Sequence, residues 1–152
     1  MAMKLVVVGA GMASGRAMEH LLKANDELYD ITLFGSEPRG NYNRIMLSPV
    51  LSCEKTYAEI VAHDADWYSD HRVDCRFGET VTSIDRMRKV VIREEGETPY
   101  NKLLIATGSS SFITPVPGRD LEGVMAYRDL GDVNRMLEYA KMPNGKAVII
   151  GG

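Results

Sequence analysis

In this 152-residue chain, the residues whose types and spacing could do chemistry lie near the start, as Gly9-x-Gly11-x-x-Ser14. Glycine at the first position permits a tight turn, and glycine at the second lets an anion approach the backbone without meeting a Cβ. A helix beginning just after the pair presents N–H groups with no intrahelical partner, those of Met12 and Ala13 among them. Together with the helix dipole, these favour a pyrophosphate. The third position holds Ser14 in place of glycine or alanine, with Gly15 beside it, and a side chain this small still allows close helix–strand packing. Further on, the Glu37 carboxylate could accept hydrogen bonds from both hydroxyls of an adenosine ribose, which disfavours a 2′-phosphate there. The chemistry is that of binding a dinucleotide. Taken alone, the glycine pattern also fits a strand–helix turn that needs glycine only for its geometry.

The elements that must position these residues occur in the right order. Leu5-Val6-Val7-Val8 has the β-branched apolar composition of a strand covered on both faces, and it ends in Gly9-Ala10-Gly11. From Met12 to about Lys23, small or apolar residues at 14, 17, 18, 21 and 22 fall on one face of a helix. Residues 31–34 form a second buried strand closed by Gly35, and Glu37 follows directly. An ordered, asparagine-rich loop runs over residues 37–44, and short helical pieces follow between 45 and 71. Residues 73–77 read as a third parallel strand.

Residues 81–106 change character. Apolar segments at 81–84, 90–93 and 100–106 are separated by polar turns at 85–88 and 94–98. Strands so tightly spaced run antiparallel, as a meander, because parallel pairing needs a long crossover. The last of them is apolar throughout, meets Thr107-Gly108-Ser109, and is expected to return to the central sheet. Pro115, Pro117 and Gly118 mark a linker, residues 129–139 a short helix, and Asn144-Gly145 a turn into a final strand ending in Gly151-Gly152. The expected fold is therefore α/β and Rossmann-like, a parallel sheet with an antiparallel β-meander. At this length one core is affordable and two complete domains are not. A chain that stops while opening a new strand reads as a fragment of a longer protein.

Composition narrows the function further. The chain is 45% hydrophobic and 26% charged, with 18 Lys+Arg against 21 Asp+Glu and a net charge of −3. It has no basic run, so neither nucleic acid nor a membrane surface is expected as a partner. No apolar stretch is long enough to span a bilayer and the N-terminus lacks a signal-peptide core, which points to the cytoplasm. Cys53 and Cys75 make no Cys-x-x-Cys, and His20, His63 and His71 have no metal-ligand spacing. No metal site is expected, and the histidines read as solvated or capping residues. Trp67 and Tyr68 read as core side chains. No residue has the setting of a general acid, base or nucleophile.

Tyr100-Asn101-Lys102-Leu103-Leu104-Ile105-Ala106-Thr107-Gly108-Ser109 resembles the second fingerprint of two-dinucleotide flavin reductases. Gly9-Ala10-Gly11-Met12-Ala13, Ile31 to Pro38, Asn41 to Ser48, Asp66-Trp67-Tyr68, Pro117 to Val124 and Tyr127-Arg128 resemble the N-terminal region of the NAD(P)H-dependent nitrite reductase large subunits. These belong to the FAD-dependent pyridine nucleotide-disulfide oxidoreductases, and the likeness covers essentially the whole chain. Related rubredoxin and ferredoxin reductases carry an arginine followed by a Ser-Lys pair beside the flavin. Here Arg44 and Ser48 are kept, but Pro49 stands where that lysine would be.

The resemblance implies a cofactor, FAD, that carries the redox chemistry while the protein binds and orients it. It implies an FAD-binding domain over residues 1–114, a linker with a short helix over 115–145, and the first strand of an NAD(P)H-binding domain over 146–152. Ala106, Thr107 and Gly108 would lie against the flavin nucleotide, and Arg44 would pair with its pyrophosphate. For Arg44 a surface ion pair with Glu37 or another carboxylate is the alternative. Ser48 would donate to phosphate or ribitol. Near Val81 a backbone group would touch the adenine, although a core-strand role suits its side chain equally well. In the whole protein, electrons from NAD(P)H would pass through FAD to an iron–sulfur cluster and a sirohaem beyond this chain, where nitrite becomes ammonia. A nitrite reductase small subunit and a homodimer are the candidate partners. The 152 residues alone should be inactive toward nitrite and should hold FAD weakly, because in this superfamily a later segment completes the FAD domain. The alternatives are an NADH:rubredoxin or ferredoxin reductase, the electron-transfer subunit of a nitrate reductase, and a non-catalytic nucleotide-binding module.

Overall fold

The computed structural model describes residues 2–151. In chain order its elements are β1 (Met3–Val8), α1 (Met12–Ala24), β2 (Tyr29–Gly35), α2 (Leu47–Leu51), α3 (Ala65–Asp70), β3 (Asp74–Phe77), β4 (Ser83–Asp85), β5 (Val90–Arg93), β6 (Gly96–Pro99), β7 (Lys102–Ile105) and α4 (Leu130–Ala140), with 3-10 turns at Arg44–Met46 and Ala58–Ile60. They fall into two compact units. The first comprises the residues up to Asn43 and Val61–Ser109, the second Arg44–Ile60 and the residues from Ser110 onward.

The first unit is built on a parallel sheet of order β3-β2-β1-β7. Side chains alternate across a strand, so β1 divides its apolar run between the two faces. Leu5 and Val7 pack with Met18 and Leu22 of α1 and with Tyr68 of α3. Val6 and Val8 pack with Phe34 of β2 and with Val91 of β5. Coverage of both faces is why β1 is apolar at successive positions rather than at alternate ones. Each such side chain, fully buried, contributes about 1.5–3 kcal/mol. Helix α1 turns Ser14, Met18 and Leu22 inward at helical spacing, as the sequence pattern predicts, together with Gly15, while Leu21 is partly buried and Ala17, expected on the same face, is exposed.

The antiparallel sheet has the order β4-β5-β6 and differs from the expected meander in two respects. Its first strand covers Ser83–Asp85 instead of 81–84, so that Val81 packs beside the core from outside the strand. Gly96–Pro99, expected within a turn, forms β6, and Arg93 pairs with Gly96 across a turn of two residues. Gly, Glu, Thr and Pro give β6 little apolar signal. It is an edge strand held by backbone pairing, where proline is tolerated. The last apolar segment returns to the central sheet, as expected, as β7 parallel to β1, and the third place in the meander falls to β6. The entry of β7 is fixed by a reciprocal pair: Asn101 N–H donates to Lys4 O at 2.8 Å, and Lys4 N–H donates to Asn101 Oδ1 at 2.7 Å.

In the second unit α2 packs against α4. Leu47, Val50, Ile60, Leu130 and Val133 are buried. Asp129 caps α4, accepting from Asp132 N–H at 2.9 Å, while the Asp132 carboxylate accepts in return from Asp129 N–H at 3.3 Å and from Arg128 N–H at 2.9 Å. An ion pair with Arg135 completes the surroundings of the buried Asp132 carboxylate. The final strand expected over 146–152 is not formed among the described residues. Residues 146–151 pair with no strand, and Val148, Ile149 and Ile150 are 86%, 88% and 78% exposed. Gly152 lies outside the described residues. No helix among the described residues is long and apolar enough to cross a membrane.

Candidate functional site

The two glycine turns picked out from the sequence meet at the ends of neighbouring strands. Val8 of β1 faces Phe34 of β2 and Ile105 of β7. Just beyond, Gly9 N–H donates to Phe34 O and Ala106 N–H donates to Val8 O, each at 2.8 Å. Gly9 has φ of +107°, and a Cβ there would lie 2.3 Å from Ala106 O and 2.9 Å from Thr107 N. Both the backbone conformation and the contact therefore require glycine. The two strand ends close on each other with no side chain between them.

Gly11 is the N-cap of α1, which has no side-chain cap hydrogen bond. A Cβ at Gly11 would meet nothing within 4 Å among the described residues. The chain's own packing therefore does not demand glycine at this position, whereas an anion resting on the first-turn N–H groups of Met12 and Ala13 would. Ser14 is fully buried, and its hydroxyl donates to Gly11 O at 2.9 Å, bracing the turn from inside. Gly15 beside it makes a further close approach, to the loop after β2: a Cβ there would sit 1.9 Å from Asn41 Nδ2.

Glu37 follows β2. Its carboxylate accepts from the Tyr42 hydroxyl at 2.8 Å, and its backbone carbonyl accepts from Gly78 N–H at 2.9 Å. The loop that carries it is pinned at Asn41. The Asn41 carbonyl accepts from Ala62 N–H at 3.0 Å, its N–H donates to the Tyr68 hydroxyl at 3.2 Å, and its Nδ2 lies 3.1 Å from His63 Nδ1. His63 Nε2 in turn lies 2.9 Å from Glu19 Oε1. The Glu19 carboxyl is held below the usual carboxylate range by the Arg16 guanidinium, with His63 adding to the effect. His63 is thus a correction to the sequence reading, being buried at 6% exposure and bonded on both ring nitrogens. Its ring also stacks on Trp67 with centroids 4.0 Å apart. Sequence spacing gives no signal of this network, because its members come from α1, the loop after β2 and the turn before α3. Tyr68 is buried as expected, and Trp67 packs against the same core.

Of the remaining candidate residues, Ala106 and Thr107 stand beside Gly9, and Gly108 follows them at φ +74°. Val81 packs against Val6, Val8, Phe34 and Val91. Arg44 and Ser48 belong to the second unit. There Arg44 Nη1–H donates to Arg128 O at 3.2 Å, and the Ser48 hydroxyl lies 2.9 Å from the Tyr127 hydroxyl. Among the described residues no three His, Cys, Asp or Glu side chains are grouped so as to hold a metal ion. Cys53 is exposed, while burial pushes the half-buried Cys75 thiol up to about 11, with the Asp74 charge adding to it.

The sequence pattern of the family described as pyridine nucleotide-disulphide oxidoreductase matches residues 3–152. The nitrite reductase [NAD(P)H] of Bacillus subtilis (strain 168) is 43% identical over 150 residues, which cover 98% of this chain and 19% of that protein. An assimilatory nitrate reductase electron transfer subunit of the same organism is 42% identical over 150 residues, covering 98% of this chain and 20% of that protein. The chain therefore spans about a fifth of the length of these relatives. Among solved structures, the NADH:rubredoxin oxidoreductase of Clostridium acetobutylicum superposes with a TM-score of 0.81 at 27% identity, covering 93% of this chain and 36% of that one. With the pattern running from residue 3 to residue 152, through sheet, linker segment and helix alike, this chain belongs to the pyridine nucleotide-disulphide oxidoreductase family.

Proposed function

We propose that this chain is the FAD-binding portion of an NAD(P)H-dependent flavoprotein reductase of the nitrite reductase type. The observation that carries the reading is the closure of Gly9 on Ala106 and Thr107, beside a helix start whose glycine answers to no contact within the chain. That cradle suits the diphosphate of a dinucleotide. Gly9, Gly11, Met12, Ala13 and Ser14 form it, the first-turn N–H groups meet the pyrophosphate, and Glu37 accepts from the adenosine ribose. Ala106, Thr107 and Gly108 form the wall next to the flavin nucleotide. Val81 offers backbone at the adenine, while Arg44 and Ser48 supply charge and a hydroxyl to phosphate or ribitol. Hydride acceptance from NAD(P)H and single-electron release would be the chemistry supplied by bound FAD. The chain's residues bind and orient it, and none acts as an acid or base.

The domain assignment follows the same reading, with an FAD-binding portion over 1–114, a linker with a helix over 115–145 and the opening of an NAD(P)H-binding domain over 146–152. The iron–sulfur cluster and sirohaem belong to other parts of the full protein, together with a small subunit or a second copy as partner, and the setting is the cytoplasm. Titration with FAD, NAD and ATP tests the binding assignment: FAD is expected to be preferred, and preference for NAD or ATP would overturn it. The 42% identity to a nitrate reductase electron transfer subunit favours one second reading, a reductase that passes its electrons to a nitrate reductase. Assaying the full-length protein with nitrite and with nitrate reductase as alternative acceptors separates the two.

A further inference from the structure

Building on the assignment of Glu37 to the adenosine ribose, we propose that Tyr42 is a positioning residue. It fixes the Glu37 carboxylate for the ribose hydroxyls and so sets the preference for an adenosine with a free 2′-hydroxyl. The Tyr42 hydroxyl donates to Glu37 Oε2 at 2.8 Å, and Tyr42 is only 3% exposed. A glutamate side chain in a loop samples several rotamers, and a buried donor of fixed position selects one of them in advance. An ionised carboxylate has about four acceptor sites, so accepting from the tyrosine is compatible with accepting from two ribose hydroxyls.

Tyr42 cannot easily follow the carboxylate if that group is pushed aside. It forms an antiparallel bridge with Val61. Its neighbour Asn41 is bonded to Ala62, Tyr68 and His63. A 2′-phosphate would therefore meet a negative charge tethered in place rather than one free to swing away. Tethering converts a contact that favours the right ligand into one that also penalises the wrong one. A sequence reading finds Glu37 by its place after the second strand, but it has no means of finding the buried donor five residues later that aims it.

The test compares binding of FAD with binding of its 2′-deoxyadenosine analogue to this chain, followed by flavin fluorescence. Wild type is expected to favour FAD by about tenfold, the worth of one hydrogen bond to a charged group. Glu37→Ala should abolish that ratio. Tyr42→Phe, which keeps the buried ring, should cut it to about twofold or threefold, and the double variant should match Glu37→Ala alone. If Tyr42→Phe weakens both ligands equally, or leaves the ratio intact while Glu37→Ala removes it, Tyr42 is a core residue only and the inference is overturned. If Glu37→Ala leaves the ratio intact, the ribose assignment itself fails and the inference falls with it.

Discussion

Leu5-Val6-Val7-Val8 and Ala147-Val148-Ile149-Ile150 are nearly interchangeable as sequence, each an apolar run leading into glycine. Their surroundings differ completely. Val7 is fully buried, with β2 and β7 paired to either side of β1 and cores on both faces. Val148 to Ile150 pair with no strand among the described residues, and they expose more than three-quarters of their surface. Apolar content becomes stability only when neighbours on the edges satisfy the backbone and neighbours on the faces exclude water. Residues of the same kind without those neighbours form no strand.

The sharpest way to break this comparison is a charge in each run. Val7→Asp should cost more than about 4 kcal/mol and abolish cooperative unfolding of the sheet, whereas Ile149→Asp should stay within about 0.5 kcal/mol, both read by urea denaturation. Equal effects would mean that the terminal run is buried in solution. Next come the two glycines of the first turn. Gly9→Ala, against the Ala106 carbonyl and at positive φ, should cost about 2–5 kcal/mol. Gly11→Ala should cost no more than about 1 kcal/mol and yet weaken FAD binding by about tenfold or more. If Gly11→Ala binds FAD as wild type does, no phosphate rests there. In the second unit, loss of the α4 cap through Asp129→Ala should lower stability by about 1 kcal/mol in thermal unfolding.

The smallest effect concerns the two cysteines. Cys75, raised from an ordinary value of 9.0 to about 11, keeps its proton in the folded state over a range where the unfolded chain gives it up. Its contribution is therefore fully present below pH 9.0 and lost between there and about 11. The unfolding midpoint should fall more steeply over that interval in wild type than in Cys75→Val. At neutral pH iodoacetamide should label the exposed Cys53 well before Cys75.

What the sequence made legible was what local pattern controls. The run at 5–8, the helical spacing of 14, 18 and 22, and Asp129 ahead of an apolar face all specify their elements through nearest neighbours. The first glycine turn was legible because its conformation dictates its residue type. Pairing between neighbours in space was not. Gly96–Pro99 becomes a strand only because β5 lies beside it, and Val148–Ile150 stays unpaired because none lies beside them. His63 is buried because Glu19 and Asn41, distant in sequence, supply its hydrogen bonds. The candidate site divides in the same way. The turns at 9–11 and 106–108 were found separately by pattern, while the bond from Tyr42 that aims Glu37 became visible only in three dimensions.

The pairing of β7 with β1 has a consequence for how the protein folds. Lys4 and Asn101 are joined by hydrogen bonds across 97 positions of sequence at the entry of the two strands, and the pairing that runs from there to Val8 and Ile105, just before the first glycine turn, closes a loop containing most of the chain. Closures of that span are entropically costly and slow, and they follow the nearby hairpins and helix–strand pairs. The meeting of the two glycine turns, the proposed dinucleotide cradle, is then among the last parts of the sheet to form. Refolding followed by a bound nucleotide should lag refolding followed by helical signal, because no partly folded chain holds both walls of the site.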